Sequence, residues 1–256
     1  MALRSTLIDY HVHSKFSVDG RSSIDDICRS AIRFGLKEIG FAEHVDFDPA
    51  DSGYGFFDYE AYSSGIEEAR RLLGDSLTIR KGVEIDYQSR FEEAIRRWLE
   101  GREFDFTIGS VHYVNGKLID HTELSGEELN TLYPIYCSEV RQSITSGLFD
   151  VIGHFDLVDS FRQVPSSIRN PSIASVLEAL VSTEASLEVN VRGFRKGRGD
   201  TVPGGEILRL FFEKGGRRIS LGSDAHSAEE IGTGLYEAIA VIQKSNPEGS
   251  CRLFRK

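Results

Sequence analysis

The sequence predicts an α/β protein of seven strand–helix units closed into a barrel, and three observations predict it. Short apolar runs alternate with longer amphipathic stretches along all 256 residues, with no Pro/Ser-rich linker between them. The length matches the roughly 250 residues that a closed parallel βα barrel needs. The first expected strand is not followed by a Gly-x-Gly-x-x-Gly turn, which removes the open dinucleotide-binding sheet as the main competitor.

The first strand is expected over Thr6–His11. The helix after it starts behind Ser22 or Ser23, either of which can cap the run Ile24-Asp25-Asp26. Further strands are expected over Glu38–Glu43, Leu77–Glu84, Phe104–His112, Asp150–His154, Ser186–Val191 and Arg218–Ser223. Each is short and mostly apolar, as in a sheet covered on both faces. Phe91–Leu99, with apolar residues at 91, 95, 98 and 99, and Ser172–Val181 read as intervening helices. Regular alternation of this kind implies parallel strands, and residues 1–256 read as one domain.

Composition narrows the function classes. With 40% hydrophobic and 27% charged residues the chain is an ordinary globular one. Cys28, Cys137 and Cys251 are too few and too scattered for a disulfide framework or a Cys-x-x-Cys site. No signal-peptide core and no membrane-length apolar run is present, so a cytoplasmic protein is expected. Thirty Lys and Arg stand against 40 Asp and Glu, a formal charge of -10, so no global basic field would hold a long nucleic acid. An anionic substrate would need local positive charge.

The histidines indicate where that charge comes from. Of seven, six (His11, His13, His44, His112, His154 and His226) fall at the carboxyl ends of expected strands, whereas His121 lies outside every such position and reads as a surface residue. Asp9, Asp19, Glu84 and Asp224 join them there. In a parallel barrel all carboxyl ends open on one face, so these distant residues converge. The pairs His11/His13 and Asp224/His226, two residues apart, project to the same side. Imidazole with carboxylate suits Zn²⁺, Mn²⁺ or Fe²⁺, and the donors outnumber those one tetrahedral ion needs, which implies two or three divalent ions.

The ordered segments His11-Val12-His13, Asp19, Ala42-Glu43-His44, Gly82-Val83-Glu84, Gly109-Ser110-Val111-His112, Gly153-His154-Phe155-Asp156 and Gly222-Ser223-Asp224-Ala225-His226 resemble the PHP (polymerase and histidinol phosphatase) superfamily across residues 9–226. That resemblance implies a distorted (β/α)7 TIM-like barrel. It also implies that His11, His13, Glu84 and Asp224 hold one metal, that Glu84 bridges to a second held by His112 and His154, and that Asp19, His44 and His226 hold a third. Leu36–His44, Phe57-Asp58-Tyr59 with Tyr62, Ser110–Tyr113 with Asn115-Gly116, and Asn190 with Gly193, Arg195 and Lys196 resemble the histidinol-phosphatase branch. Val191-Arg192 and Gly199–Pro203 depart from that branch in the loop expected to touch substrate.

The chemistry implied is metal-dependent phosphomonoester hydrolysis, with L-histidinol phosphate as the small phosphorylated substrate. Glu84 would bridge two ions, and either Asp19 or His226 would serve as general acid. Arg162, Arg192 and Arg195 follow strands five and six and are expected to bind phosphate, Arg195 best matching the family position. Asp9 and Asp156 read as carboxylates orienting metal-bound histidines, with capping of the strand end as the other reading of Asp9. The acidic and aromatic segment Asp46–Tyr62 suits either a lid that recognises an amine or imidazole, or a surface loop anchored by Phe56 and Phe57. Trp98 and Cys137 read as packing residues. Two other functions fit the same residues: a phosphoesterase for nucleotides or short oligonucleotide ends, and a non-enzymatic module whose metals only stabilise the barrel.

Overall fold

The computed structural model describes residues 7–119, 126–158 and 164–256; Arg162 and His121 lie outside them. Each expected strand is found, most trimmed at one or both ends: β1 (Ile8–Val12), β2 (Glu38–Val45), β3 (Thr78–Asp86), β4 (Phe106–Ser110), β7 (Val151–Ile152), β8 (Ser186–Asn190) and β9 (Arg218–Gly222). A short hairpin, β5 (Tyr113–Val114) and β6 (Lys117–Leu118), leaves β4, and β10 (Arg252–Leu253) adds an eighth strand to the main sheet. The sheet order is β1-β2-β3-β4-β7-β8-β9-β10 with every neighbour parallel. Parallel pairing requires a crossover after each strand. The crossovers carry α1 (Ile24–Phe34), α2 (Tyr59–Leu73), α3 (Glu92–Leu99), α4 (Gly126–Ser146), α5 (Ser166–Val181), the short α6 (Arg192–Arg195), α7 (Gly205–Glu213) and α8 (Leu235–Ser245).

Local chemistry sets these boundaries. Ser23 caps α1 by accepting from the Asp26 N–H, and Gly35 ends it in the left-handed conformation that favours glycine. Asp58 caps α2 through the Ala61 N–H. Helix α5 begins at Ser166 rather than at the expected Ser172 and runs through Pro171, at the cost of one intrahelical N–H bond.

The curled sheet closes on itself through two seams. At the carboxyl end β1 meets β9: Val12 bridges Ala225, the His13 N–H donates to the Ala225 carbonyl at 2.8 Å, and the Asp224 N–H donates to the His11 carbonyl at 2.7 Å. At the amino end β10 follows β9, and Phe254 sets its ring 5.1 Å from that of Tyr10 on β1. The register of β1 on β2 shifts between Asp9 and Val12. Such irregularities re-aim side chains. Tyr10 accordingly packs on Phe106, while the next residue, His11, faces Glu84 and Glu188. No described helix is long and apolar enough to cross a membrane.

Candidate metal centre and active site

The carboxyl ends of the strands deliver six histidines to one basin, and Glu84, near the carboxyl end of β3 and fully buried, stands at its centre. One carboxylate oxygen, Oε2, lies 3.2 Å from His11 Nε2, 3.5 Å from His13 Nε2 and 3.0 Å from His44 Nδ1. The other, Oε1, lies 3.0 Å from His154 Nε2 and 3.8 Å from His112 Nε2, and accepts from the Ser110 hydroxyl at 2.5 Å. His13 Nε2 is also 3.5 Å from Asp224 Oδ1. At the mouth, His226 Nε2 is 3.0 Å and His44 Nε2 3.7 Å from the half-exposed carboxylate of Asp19.

Three donor groups among the described residues converge closely enough to hold a cation, the first and last of them sharing His13: His11, His13 and Asp224; Glu84, His112 and His154; and His13, His44 and His226. Within them His11 Nε2, His13 Nε2, Glu84 Oε2 and Asp224 Oδ2 are buried without a hydrogen-bond partner. Buried polar atoms left unpaired are costly, and four such donors aimed at one another are what divalent cations satisfy. The charge states agree. Burial opposes ionisation of Glu84 and Asp224, but the facing imidazoles, His11 and His44 for Glu84 and His13 and His11 for Asp224, hold both carboxyls well below their usual range. Burial, reinforced by His44 and His226, holds His13 well below the ordinary imidazole value and leaves its lone pair free. The donor set therefore fits divalent metal ions.

Above the cluster opens a cavity of about 280 Å³ whose wall includes Asp19, Asp46, Asp51, Ser52, Leu118 and Arg192. Arg192 reaches it from α6, with its guanidinium 3.6 Å from Asp224 Oδ2. Arg195, expected to meet phosphate, does not line this cavity: its guanidinium donates to the backbone carbonyls of Ser223 and of Asp224 and fixes the ligand turn from behind. One helical turn separates the two arginines, and only the first is on the open side. The altered 199–203 segment returns to β8, where Val202 and Asn190 exchange backbone bonds of 2.9 Å, and of the positions that depart from the branch pattern Arg192 lines this cavity.

A family model for the PHP domain matches residues 9–192, from the first ligand strand to that arginine. The chain belongs to the PHP domain family. Among its relatives, the histidinol-phosphatase of Lactococcus lactis is 29% identical over 248 residues, covering 93% of this chain and 91% of that protein. The histidinol-phosphatase of Bacillus subtilis is 28% identical over 264 residues, covering 90% and 97%. The crystal structure of the Lactococcus lactis histidinol phosphate phosphatase complexed with zinc, L-histidinol and phosphate matches with a TM-score of 0.84 at 28% identity, covering 96% of this chain and 95% of that one.

This PHP site also contains orienting groups that the sequence reading does not single out. Glu188 on β8 meets His11 Nδ1 at 2.6 Å. Glu43 accepts from the Ser14 and Ser17 hydroxyls, each at 2.6 Å, and Ser17 Oγ lies 3.1 Å from His13 Nδ1. Asp86 accepts the His112 N–H at 2.8 Å. The visible signal for Glu188 is a charged residue inside the apolar run Leu187-Glu188-Val189. Of the two carboxylates expected in this role, Asp9 takes its other expected role and ties down backbone. Asp9 accepts the backbone N–H groups of Ser223 and His11 at 2.9 and 3.3 Å, and Asp156 accepts the Tyr133 hydroxyl of α4 at 2.5 Å. Trp98 packs between Phe57 and Phe104, and Cys137 is buried, as expected.

Proposed function

We propose that this chain is a metal-dependent phosphatase that hydrolyses L-histidinol phosphate to L-histidinol and phosphate, using three divalent cations, zinc among them. The observation that carries the reading is the Glu84-centred cluster: two carboxylate oxygens, each flanked by its own histidines, open to a cavity with a basic and an acidic side. The likeness to the zinc, L-histidinol and phosphate complex supports both the metal and the substrate. When bound, the cations supply a water of lowered pKa as nucleophile and neutralise the phosphate oxygens.

The remaining work falls to the chain. His11, His13, Glu84 and Asp224 would hold the first cation, Glu84, His112 and His154 the second, and Asp19, His44 and His226 the third. Arg192, which lines the cavity, would donate to a phosphate oxygen over the cluster. Burial opposes ionisation of Asp19, but the imidazoles of His226 and His44 hold its carboxyl well below the usual range, so at the solvent-facing mouth it would serve as an anionic ligand and not as the proton donor to the departing alkoxide. Asp46 and Asp51 line the same cavity and give a cationic leaving group an anionic wall. The segment around them divides: its acidic part faces the cavity, Phe57 packs on Tyr62, and Tyr54 and Phe56 are exposed.

The test is kcat/KM for phosphate release from L-histidinol phosphate beside AMP, a nucleoside 3',5'-bisphosphate and p-nitrophenyl phosphate, with protein loaded separately with Zn²⁺, Mn²⁺ and Fe²⁺. A preference for L-histidinol phosphate of about a hundredfold, or about 2.7 kcal/mol in the transition state, is expected. Equal, slow turnover of all four would overturn the substrate, and a preference for the nucleotides would install the competing phosphoesterase reading.

A further inference from the structure

We infer that Glu188 is a positioning residue that couples the two cation positions on either side of Glu84, so that they fill as a pair. This rests on the metal reading above and not on the identity of the substrate. Glu188 lies in mid-β8, fully buried, and each of its oxygens serves a different position. Oε1 is 2.6 Å from His11 Nδ1; Oε2 accepts the backbone N–H of His154 at 2.5 Å and the Asn190 amide at 3.3 Å. His11 and His154 flank opposite oxygens of Glu84, with Nε2 atoms 3.2 Å from Oε2 and 3.0 Å from Oε1. The two histidines are thus joined in front by one carboxylate and behind by another.

The rear carboxylate decides which nitrogen is free. A proton on His11 Nδ1, held by Glu188, leaves the Nε2 lone pair directed at the cluster. The His154 bond fixes the backbone just beyond β7, a strand of only two residues that its own ladder holds weakly. Because both oxygens belong to one carboxylate, a shift of Glu188 moves both contacts together. The site makes room for it with a glycine: a Cβ on Gly222 would lie 2.1 Å from Glu188 Oε1 and 2.6 Å from His11 Cβ.

Glutamine is the informative replacement. Both partners are N–H donors, and the amide has one acceptor oxygen where the carboxylate has two. The experiment is equilibrium dialysis of the full chain against graded free Zn²⁺, with metal content and kcat and KM read at each point. In the wild type two cations are expected to load in a single step. In E188Q they should load separately, both at free Zn²⁺ raised by 10- to 100-fold, with kcat following their occupancy, KM unchanged and activity restored by excess Zn²⁺. Gly222→Ala, which displaces the same carboxylate without removing it, should give the same separation and serves if E188Q does not fold. The inference is overturned if both variants load the pair at the wild-type midpoint, or if one position weakens while the other keeps its wild-type midpoint. A wild type that takes up no cation would overturn the metal reading itself.

Discussion

Asp9 shows how burial and hydrogen bonding compete at a single residue beside the metal cluster. Burial pushes its carboxyl up to about 6, against the hydrogen bonds from Ser223 and the His11 N–H that favour the anion. Its Oδ2 is buried without a partner. A folded-state pKa above the usual 3.8 means that the native protein holds this proton more tightly than the unfolded chain does. The resulting stabilisation is complete below 3.8 and is lost as pH rises through about 6. At 1.36 kcal/mol per pKa unit the loss is about 3 kcal/mol. Asparagine keeps the Oδ1 acceptor and carries no charge at any pH. In metal-free protein, Asp9→Asn should therefore gain about 2–3 kcal/mol on the wild type between pH 4.5 and 8, read by urea unfolding at each pH; parallel pH profiles would refute this. The sequence pattern that singled out the candidate ligands could not single out such a role. His11, His13, His44, His112, His154 and His226 were legible because each ends a strand and their residue type is chemically specific. The roles of Asp9, Glu188 and Glu43 were not, because a carboxylate within or beside an apolar strand can bind metal, orient a ligand or tie down backbone, and only the partner atom decides.

At the level of elements, β3 carries Glu84 because the residue two positions earlier has no side chain. A Cβ on Gly82 would lie 2.2 Å from Phe106 Cζ, and Gly40 on the neighbouring strand faces the same ring at 2.7 Å. Phe106 is itself buried and packs against Tyr10, so it fills the layer just below the metal cluster. Gly82→Ala should cost about 1–3 kcal/mol through overpacking. Phe106→Leu in the same chain should recover part of that loss, since residues in contact are not additive. Urea midpoints of the three variants measure this; a Gly82→Ala protein as stable as the wild type would show that the ring has room to move. The strands themselves were legible in the sequence, because apolar runs of that length between helical stretches have few other meanings. The start of α5 was not, since Pro171 mimics a helix beginning while tertiary packing carries the helix back to Ser166. Nor was β10, whose two residues, Arg252 and Leu253, show no periodicity and are recruited by backbone bonds from Arg252 to Arg217, just before β9, and from Phe254 to Ile219 on it.

For the molecule as a whole, the barrel and the metal cluster are held by different forces. The apolar core includes Ile8, Phe41, Val83, Ile108, Val151, Leu187 and Leu221, one from each of the seven strands β1–β4 and β7–β9, all buried and none with a metal-ligating side chain. Both seams are closed by contacts that need no cation: backbone bonds from His13 and Asp224 at the carboxyl end, and the Tyr10–Phe254 contact at the amino end. The cluster without metal still has internal compensation, because Glu84 faces five imidazoles and His44 is pushed up to about 10 once Glu84 and Asp19 outweigh its burial. Chelation should therefore leave the fold standing. Any ligand that binds only the native state raises its stability by RT ln(1 + [L]/Kd), about 2.7 kcal/mol per site at a hundredfold excess over Kd. Dialysis against EDTA is expected to abolish phosphate release, lower Tm by several degrees and leave the far-ultraviolet circular dichroism unchanged, with Zn²⁺ restoring both activity and Tm. Loss of the helical signal together with the metal would mean instead that the cations close the barrel, and the cluster would then be a structural centre rather than a catalytic one.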